Sequence, residues 1–213
     1  MSKSTALNHP NIVAFLATLP PDAERDRVRQ AYAEADAQRV ALKERETSAP
    51  RELQEVDIAL LTATGKARQE LYARRQALKT DIETLPTHKT IVRNIHSQAQ
   101  LAYLAAVRVQ ALAVAAAAQA ELDPIRAEAT AGRKALAGYD HHRMVGQITM
   151  EEYTEHAADV EARRVVLHAH AQPIMGRLTQ ATEVAHICEA IAEMHGETVR
   201  LTAPSSWPSS AAR

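Results

Sequence analysis

A chain of 213 residues with 25 basic and 26 acidic side chains carries a formal charge of −1, so no global field draws it to nucleic acid or to anionic lipid. Aromatic residues are 3% and glycines number six while 43 residues are Ala, a balance that excludes most β architectures and favours helices, where Ala, Arg, Glu, Gln, Lys and Leu lose little side-chain freedom. With so much Ala each residue buries little area, at about 25 cal/mol per Å² of apolar surface, and packing against partner subunits is the expected compensation.

The first predicted element is a short anchor helix from about Pro10 to Leu19, with Pro10 near the first helical position and Ile12, Val13, Phe15, Leu16 and Leu19 on one apolar face. Its apolar run is too short, and its approach through Asn8, His9 and Asn11 too polar, for a secretory signal. Pro20 and Pro21 break it, and Asp22 and Glu24 open a charged helix to about Glu46, with a thin face of Val28, Ala31, Tyr32, Ala35 and Leu42. Ser48, Ala49 and Pro50 mark the next start. From there Leu53, Val56, Leu60, Ala63, Ala67, Leu71, Leu78, Ile82 and Leu85 keep three- and four-residue spacings, a seam of coiled-coil type with a weak point near Thr62 to Gly65. Pro86 ends that helix. A partner follows from His88 to Leu122, equal in length to Arg51–Leu85, with Ile91, Ile95, Ala102, Ala105, Leu112, Ala115, Ala118 and Leu122 near one face, so the two pair as an antiparallel hairpin.

The stretch from Ala99 to Ala120 is the most apolar in the chain, but it is mostly Ala and is interrupted by Gln100, Arg108, Gln110 and Gln119, so a helix covered by other helices is expected rather than a membrane span. Beyond Pro124, which bends or restarts the helix, Ile125, Ala129 and Leu136 continue to Ala137; Gly138 reads as the C-terminal cap and Tyr139 to Gly146 as a turn. Thr149 with Glu152 forms a capping box. The run Gly146-Gln147-Ile148-Thr149-Met150-Glu151-Glu152-Tyr153 resembles the G-x-I-T-x-E-E-F/Y turn that recurs in many helical hairpins, SHOCT-type modules among them. The resemblance covers eight residues; it implies a hairpin and carries no activity. The last helix holds Tyr153, Ala157, Val160 and Leu167, meets Pro173, and resumes with Ile174, Leu178, Ala181, Ala185, Cys188 and Ile191 up to Gly196. Residues 203–213, low in complexity, are expected to be unstructured alone.

The resulting organisation is all-α, without sheet: residues 1–48 an anchor plus a charged helix, 49–122 a long antiparallel hairpin, 123–197 a second hairpin, and 198–213 a tail. The single Cys188 excludes an internal disulfide and a multi-Cys zinc site. Glu183 and His186 have the i, i+3 spacing of ferritin-like di-iron bundles, but no second Glu-x-x-His occurs, so this pair is a weak metal candidate. His168 and His170 point about 200° apart on a helix and cannot share an ion, and Asp140, His141 and His142 fit a solvated turn. Arg68, Tyr72, Arg75 and Lys79 share a helical stripe inside a basic patch with Lys66 and Arg74, which fits an ordinary solvated face or an acidic partner's docking site more than nucleic acid. Phe15, Leu16 and Leu19 of the anchor, and Trp207 in the tail, are further partner-binding candidates. No phosphate loop, nucleophile elbow or metalloprotease helix occurs, and no cofactor is expected.

These features lead to the expectation of a non-enzymatic structural subunit of a larger assembly, with a tailed-phage virion or its assembly apparatus as its setting. Such a subunit would be made in the cytoplasm and would contact copies of itself and other subunits, without membrane or nucleic acid. The alternatives are a soluble helical adaptor for one protein partner and a ferritin-like metal-binding bundle.

Overall fold

The computed structural model describes residues 8–194, and within them every regular element is a helix: α1 (Pro10–Ala17), α2 (Ala23–Leu60), α3 (Gly65–Met144) and α4 (Met150–Met194). Trp207 and the expected 198–213 tail lie outside the described residues. Cα packing divides the chain into two compact units, the first built on Pro20–Ala106 and the second on His9–Leu19 with Val107–Ala190. Helix α3 contributes to both.

Three expected boundaries move. Helix α2 runs through Ser48, Ala49 and Pro50 instead of restarting there, and α3 runs through Pro86 instead of breaking at it; at Pro124, where the sequence allows either a bend or a restart, α3 is continuous. The first turn is therefore at residues 61–64, and the expected hairpin of 51–85 with 88–122 does not form. Gly65 adopts φ +58, a left-handed conformation available to Gly at little cost, so the chain reverses at Thr-Ala-Thr-Gly. Pro50, Pro86, Pro124 and Pro173 all lie on exposed sides of their helices. Each ring costs a backbone hydrogen bond, about 3 kcal/mol, but the carbonyl it strands one turn earlier lies on the same outward side, where water can satisfy it, and packing of the opposite face offsets the rest. Gly138 is likewise helical: α3 continues through Tyr139, His141 and His142 to Met144, and Gly146, at φ +73, makes the second turn.

In the first unit α2 and α3 run antiparallel, because their partners change in opposite directions. Asp57 accepts from Arg75 at 2.6 Å, Arg45 donates to Asp81 at 2.6 Å, Lys89 donates to Glu46 at 2.6 Å, and His96 lies 3.2 Å from Asp36. Between them lie Tyr32, Ala35, Ala49 and Val56 of α2 against Leu78, Leu85, Tyr103 and Leu104 of α3, all buried. The Tyr32 ring sits 5.4 Å from His96 and 5.6 Å from Tyr103. The stripe from Leu53 to Leu85 is thus two faces of a hairpin looking at each other: Val56, Leu78 and Leu85 are buried, and the turn at 61–64 interrupts it. At the start of α2, Asp22 caps the helix by accepting from the Arg25 backbone N–H at 2.8 Å.

The second unit repeats the plan. Arg163 donates to Glu128, Arg177 to Glu121 and Arg108 to Glu189, so α4 rises as α3 falls. The core is made by Val107, Ala111, Ala115, Ala118 and Leu122 of α3 against Leu167, Ala171, Ile174, Ala181, Val184, Ala185 and Cys188 of α4, with Ile12 and Phe15 of α1 also buried. With half-buried Leu178 included, Leu167, Ala171, Ile174, Leu178, Ala181, Ala185 and Cys188 keep alternating four- and three-residue steps, the signature of a knobs-into-holes seam, and the small α3 residues admit close approach. The burial shifts the expected α3 face: Ile91 and Ile95 are exposed, and Tyr103, Leu104, Val107 and Ala111 occupy the seam instead.

Candidate protein-interaction surface

Two antiparallel helices bury only the stripe they share, and large apolar side chains remain exposed outside it. Val109, Val165, Val166, Ile91 and Ile95 are exposed along the helices, but Leu61, Met144 and Met150, three of the four most exposed among the described residues, flank the two turns.

At the first turn Leu61 is 83% exposed and Ile58 60%, with Tyr72 also exposed on the opposite helix. Pro50, Leu53, Gln54, Asp57, Ile58 and Leu61 line an open groove of about 410 Å³ along α2, one face of the helix leading into the turn. Behind it the first four turns of α3, residues 66–79, carry five basic side chains and only Glu70 as an acid. Arg68 stacks over the Tyr72 ring at 5.8 Å and reaches its hydroxyl at 3.5 Å. The basic stripe expected here is divided: Arg75 is committed to Asp57 at 2.6 Å, Arg74 approaches Glu52 at 3.9 Å, Lys79 is half-buried, and Lys66 and Arg68 are exposed, Lys66 with Glu70 of its own helix 3.9 Å away. No acidic residue stands in the first turn of α3, although a helix N-terminus favours negative charge.

At the second turn Met144 is 72% exposed and Met150 63%, with Val145 between them. Here the backbone is well tied. The Gln147 N–H donates to the His142 carbonyl at 2.8 Å and the His142 ring meets the Gln147 side chain. Thr149 and Glu152 form the expected reciprocal box, Glu152 N–H donating to the Thr149 hydroxyl at 3.2 Å and Thr149 N–H to the Glu152 carboxylate at 2.7 Å. These bonds from the Thr149 backbone and hydroxyl hold the Glu152 carboxyl below the usual range. Tyr139 stacks on His156 at 3.9 Å, and Arg143 bridges Asp140 at 2.8 Å and the Tyr153 ring at 5.2 Å. Glu151, Glu152, Glu155, Asp159 and Glu161 make the start of α4 acidic, and all five are exposed.

The remaining sequence candidates fall elsewhere. Phe15 is buried inside the second unit, so it is spent within this chain and is not available to a partner; Leu16 and Leu19 are half-buried. Glu183 accepts from the Asn11 side chain at 2.8 Å, tying α1 to α4, and exposed His186 lies 3.9 Å from Glu189. Among the described residues no group of three or more His, Cys, Asp or Glu side chains could hold a metal ion. Burial pushes the Cys188 thiol up to about 12, against a smaller opposing pull from the Arg108 charge. Helix α3 contains an 18-residue window of mean hydropathy 1.7, 33% buried, long and apolar enough to cross a membrane by length and composition alone.

Ile58, Leu61, Met144, Val145 and Met150 were missed by the sequence reasoning, which looked for stripes. The available signal was large apolar residues beside Gly65 and Gly146, where turns are ordinarily polar. Comparison with known protein families, with curated proteins and with solved structures finds no match to this chain.

Proposed function

We propose that the chain is a non-enzymatic structural subunit of a larger assembly, acting through helix-to-helix contacts with other subunits. The observation that supports this reading is that large apolar residues stay exposed on paired helices that bury only one stripe each, along the helices at Ile91, Ile95, Val109, Val165 and Val166 and most fully at the two turns, at Leu61, Met144 and Met150. Exposed apolar clusters of this kind mark interaction surfaces. The one-third-buried apolar window of α3 is read in the same way, as a helix face offered to neighbouring protein.

Light scattering of the purified chain across rising concentration tests the proposal. Growth of the average mass is the expected result. A monodisperse monomer at every concentration overturns it, and a fixed one-to-one complex with a single other protein, without self-association, turns the reading to a helical adaptor. For the tailed-phage setting the expected result is that the chain sediments with virions or their assembly intermediates.

A further inference from the structure

Resting on that reading, we infer that the two turns are complementary halves of one contact between copies: the groove beside the 61–64 turn of one copy receives the 145–149 turn of a second copy. The apolar parts match in kind. One side is a groove lined by Pro50, Leu53, Ile58 and Leu61, and the other a projection bearing Met144, Val145 and Met150, with methionine suited to filling an irregular groove.

Charge selects the occupant. The arm of α3 beside the groove, residues 66–79, has five basic residues against one acid, and the arm of α4 beside the projection, residues 150–161, has five acids and no Lys or Arg. Glu52, Glu55 and Asp57 on the α2 arm, and Arg133, Lys134 and Arg143 on the α3 arm of the second turn, reduce the contrast but do not cancel it: two 66–79 arms or two 150–161 arms set like charges together, whereas a first turn against a second turn places Lys66 and Arg68 opposite exposed Glu151 and Glu155. Lys66 and Arg68 also oppose the dipole of their own helix, an arrangement that a neighbouring carboxylate relieves.

Because the two surfaces differ, the contact is heterologous: each copy that uses one keeps the other, so growth does not stop at a dimer unless a ring closes. Each joint is small, so association depends on concentration, and its charged rim makes it weaken at high salt.

Sedimentation velocity on the full chain, with helicity checked by circular dichroism, tests the contact through two charge-reversed forms: Lys66→Glu with Arg68→Glu, and Glu151→Lys with Glu155→Lys. Glu152 is left in place because it caps α4. Each form alone should associate at least about tenfold more weakly than the original chain. Their equimolar mixture should recover association, since each altered surface then meets an altered complement. Association of both forms at the original strength, or failure of the mixture to recover, overturns this contact while leaving the assembly reading intact; a wild-type chain that never associates overturns the assembly reading itself. Leu61→Asp is a further variant whose fully helical but weakly associating form is expected; because Leu61 is mostly exposed, undiminished association of this form also overturns the contact.

Discussion

Gly138 and Gly146 stand on either side of the same helix end and make opposite demands. Nothing lies within 4 Å of a Cβ added at Gly138, which is helical, whereas Gly146 holds φ +73. Gly138→Ala is therefore expected to raise stability by about 0.5–1 kcal/mol and Gly146→Ala to lower it by about 1–2 kcal/mol in denaturant unfolding. Were Gly138 the helix cap that its local sequence suggests, the first sign would reverse. At Cys188 burial holds the thiol up to about 12, so it should ignore a thiol reagent at neutral pH in the native state and react on unfolding. The sign for stability follows: below the ordinary thiol range neither state ionises, and as pH rises above it only the unfolded chain gains the thiolate, so stability falls on the alkaline side.

At the scale of elements, Pro86 and Thr149 separate what neighbouring residues can specify from what they cannot. Pro86 and Thr87 look like a turn, but α3 passes through them because Leu78 and Leu85 are held against α2 on one side while the proline ring faces out on the other. Pro86→Ala should accordingly stabilise the chain by about 2 kcal/mol, the helix penalty of proline less the entropy it removes from the unfolded state, as read by thermal or denaturant unfolding. Loss of stability would place a turn there after all. Thr149 and Glu152 form the capping box that their spacing implies, since all its donors and acceptors lie within one helical turn. The depressed Glu152 carboxyl contributes stability that is present above the ordinary carboxylate range and lost as pH falls through its folded value. In Thr149→Ala, which removes the hydroxyl but keeps the backbone N–H, that acid-side loss should shrink in part, and an NMR titration should find the Glu152 carboxyl moved upward but still below the ordinary range.

For the whole molecule, composition had pointed to a shortage of core, and packing shows where it falls. Ala111, Ala115 and Ala118 are buried on α3 and Ala171, Ala181 and Ala185 on α4, so the Ala run makes a close seam there, while Leu61, Met144, Met150, Val165 and Val166 remain exposed at the turns and along the outer faces. If copies cover those surfaces, the folded state gains free energy from association and the unfolded state does not, so the unfolding temperature should rise with protein concentration. A midpoint that stays constant over a hundredfold range would mean that association adds nothing to the stability of the fold.

The sequence by itself determined that the chain is helical, that α1 starts at Pro10 and α2 after Asp22, that the second reversal lies just before Thr149, and that Ile174, Ala181, Ala185 and Cys188 share a seam. Each of those depends on propensity, caps or periodicity within a few turns of one helix. Only the tertiary structure decided that Pro50, Pro86, Pro124 and Gly138 lie inside helices, that the first reversal falls at residues 61–64, and that Phe15 is buried while Leu61 and Met144 are not. A three- and four-residue spacing is the same whether a stripe continues along one helix or folds back against itself, and a proline ends a helix only when no packed partner face offsets its lost hydrogen bond. Both outcomes depend on residues distant in sequence, which local patterns do not contain.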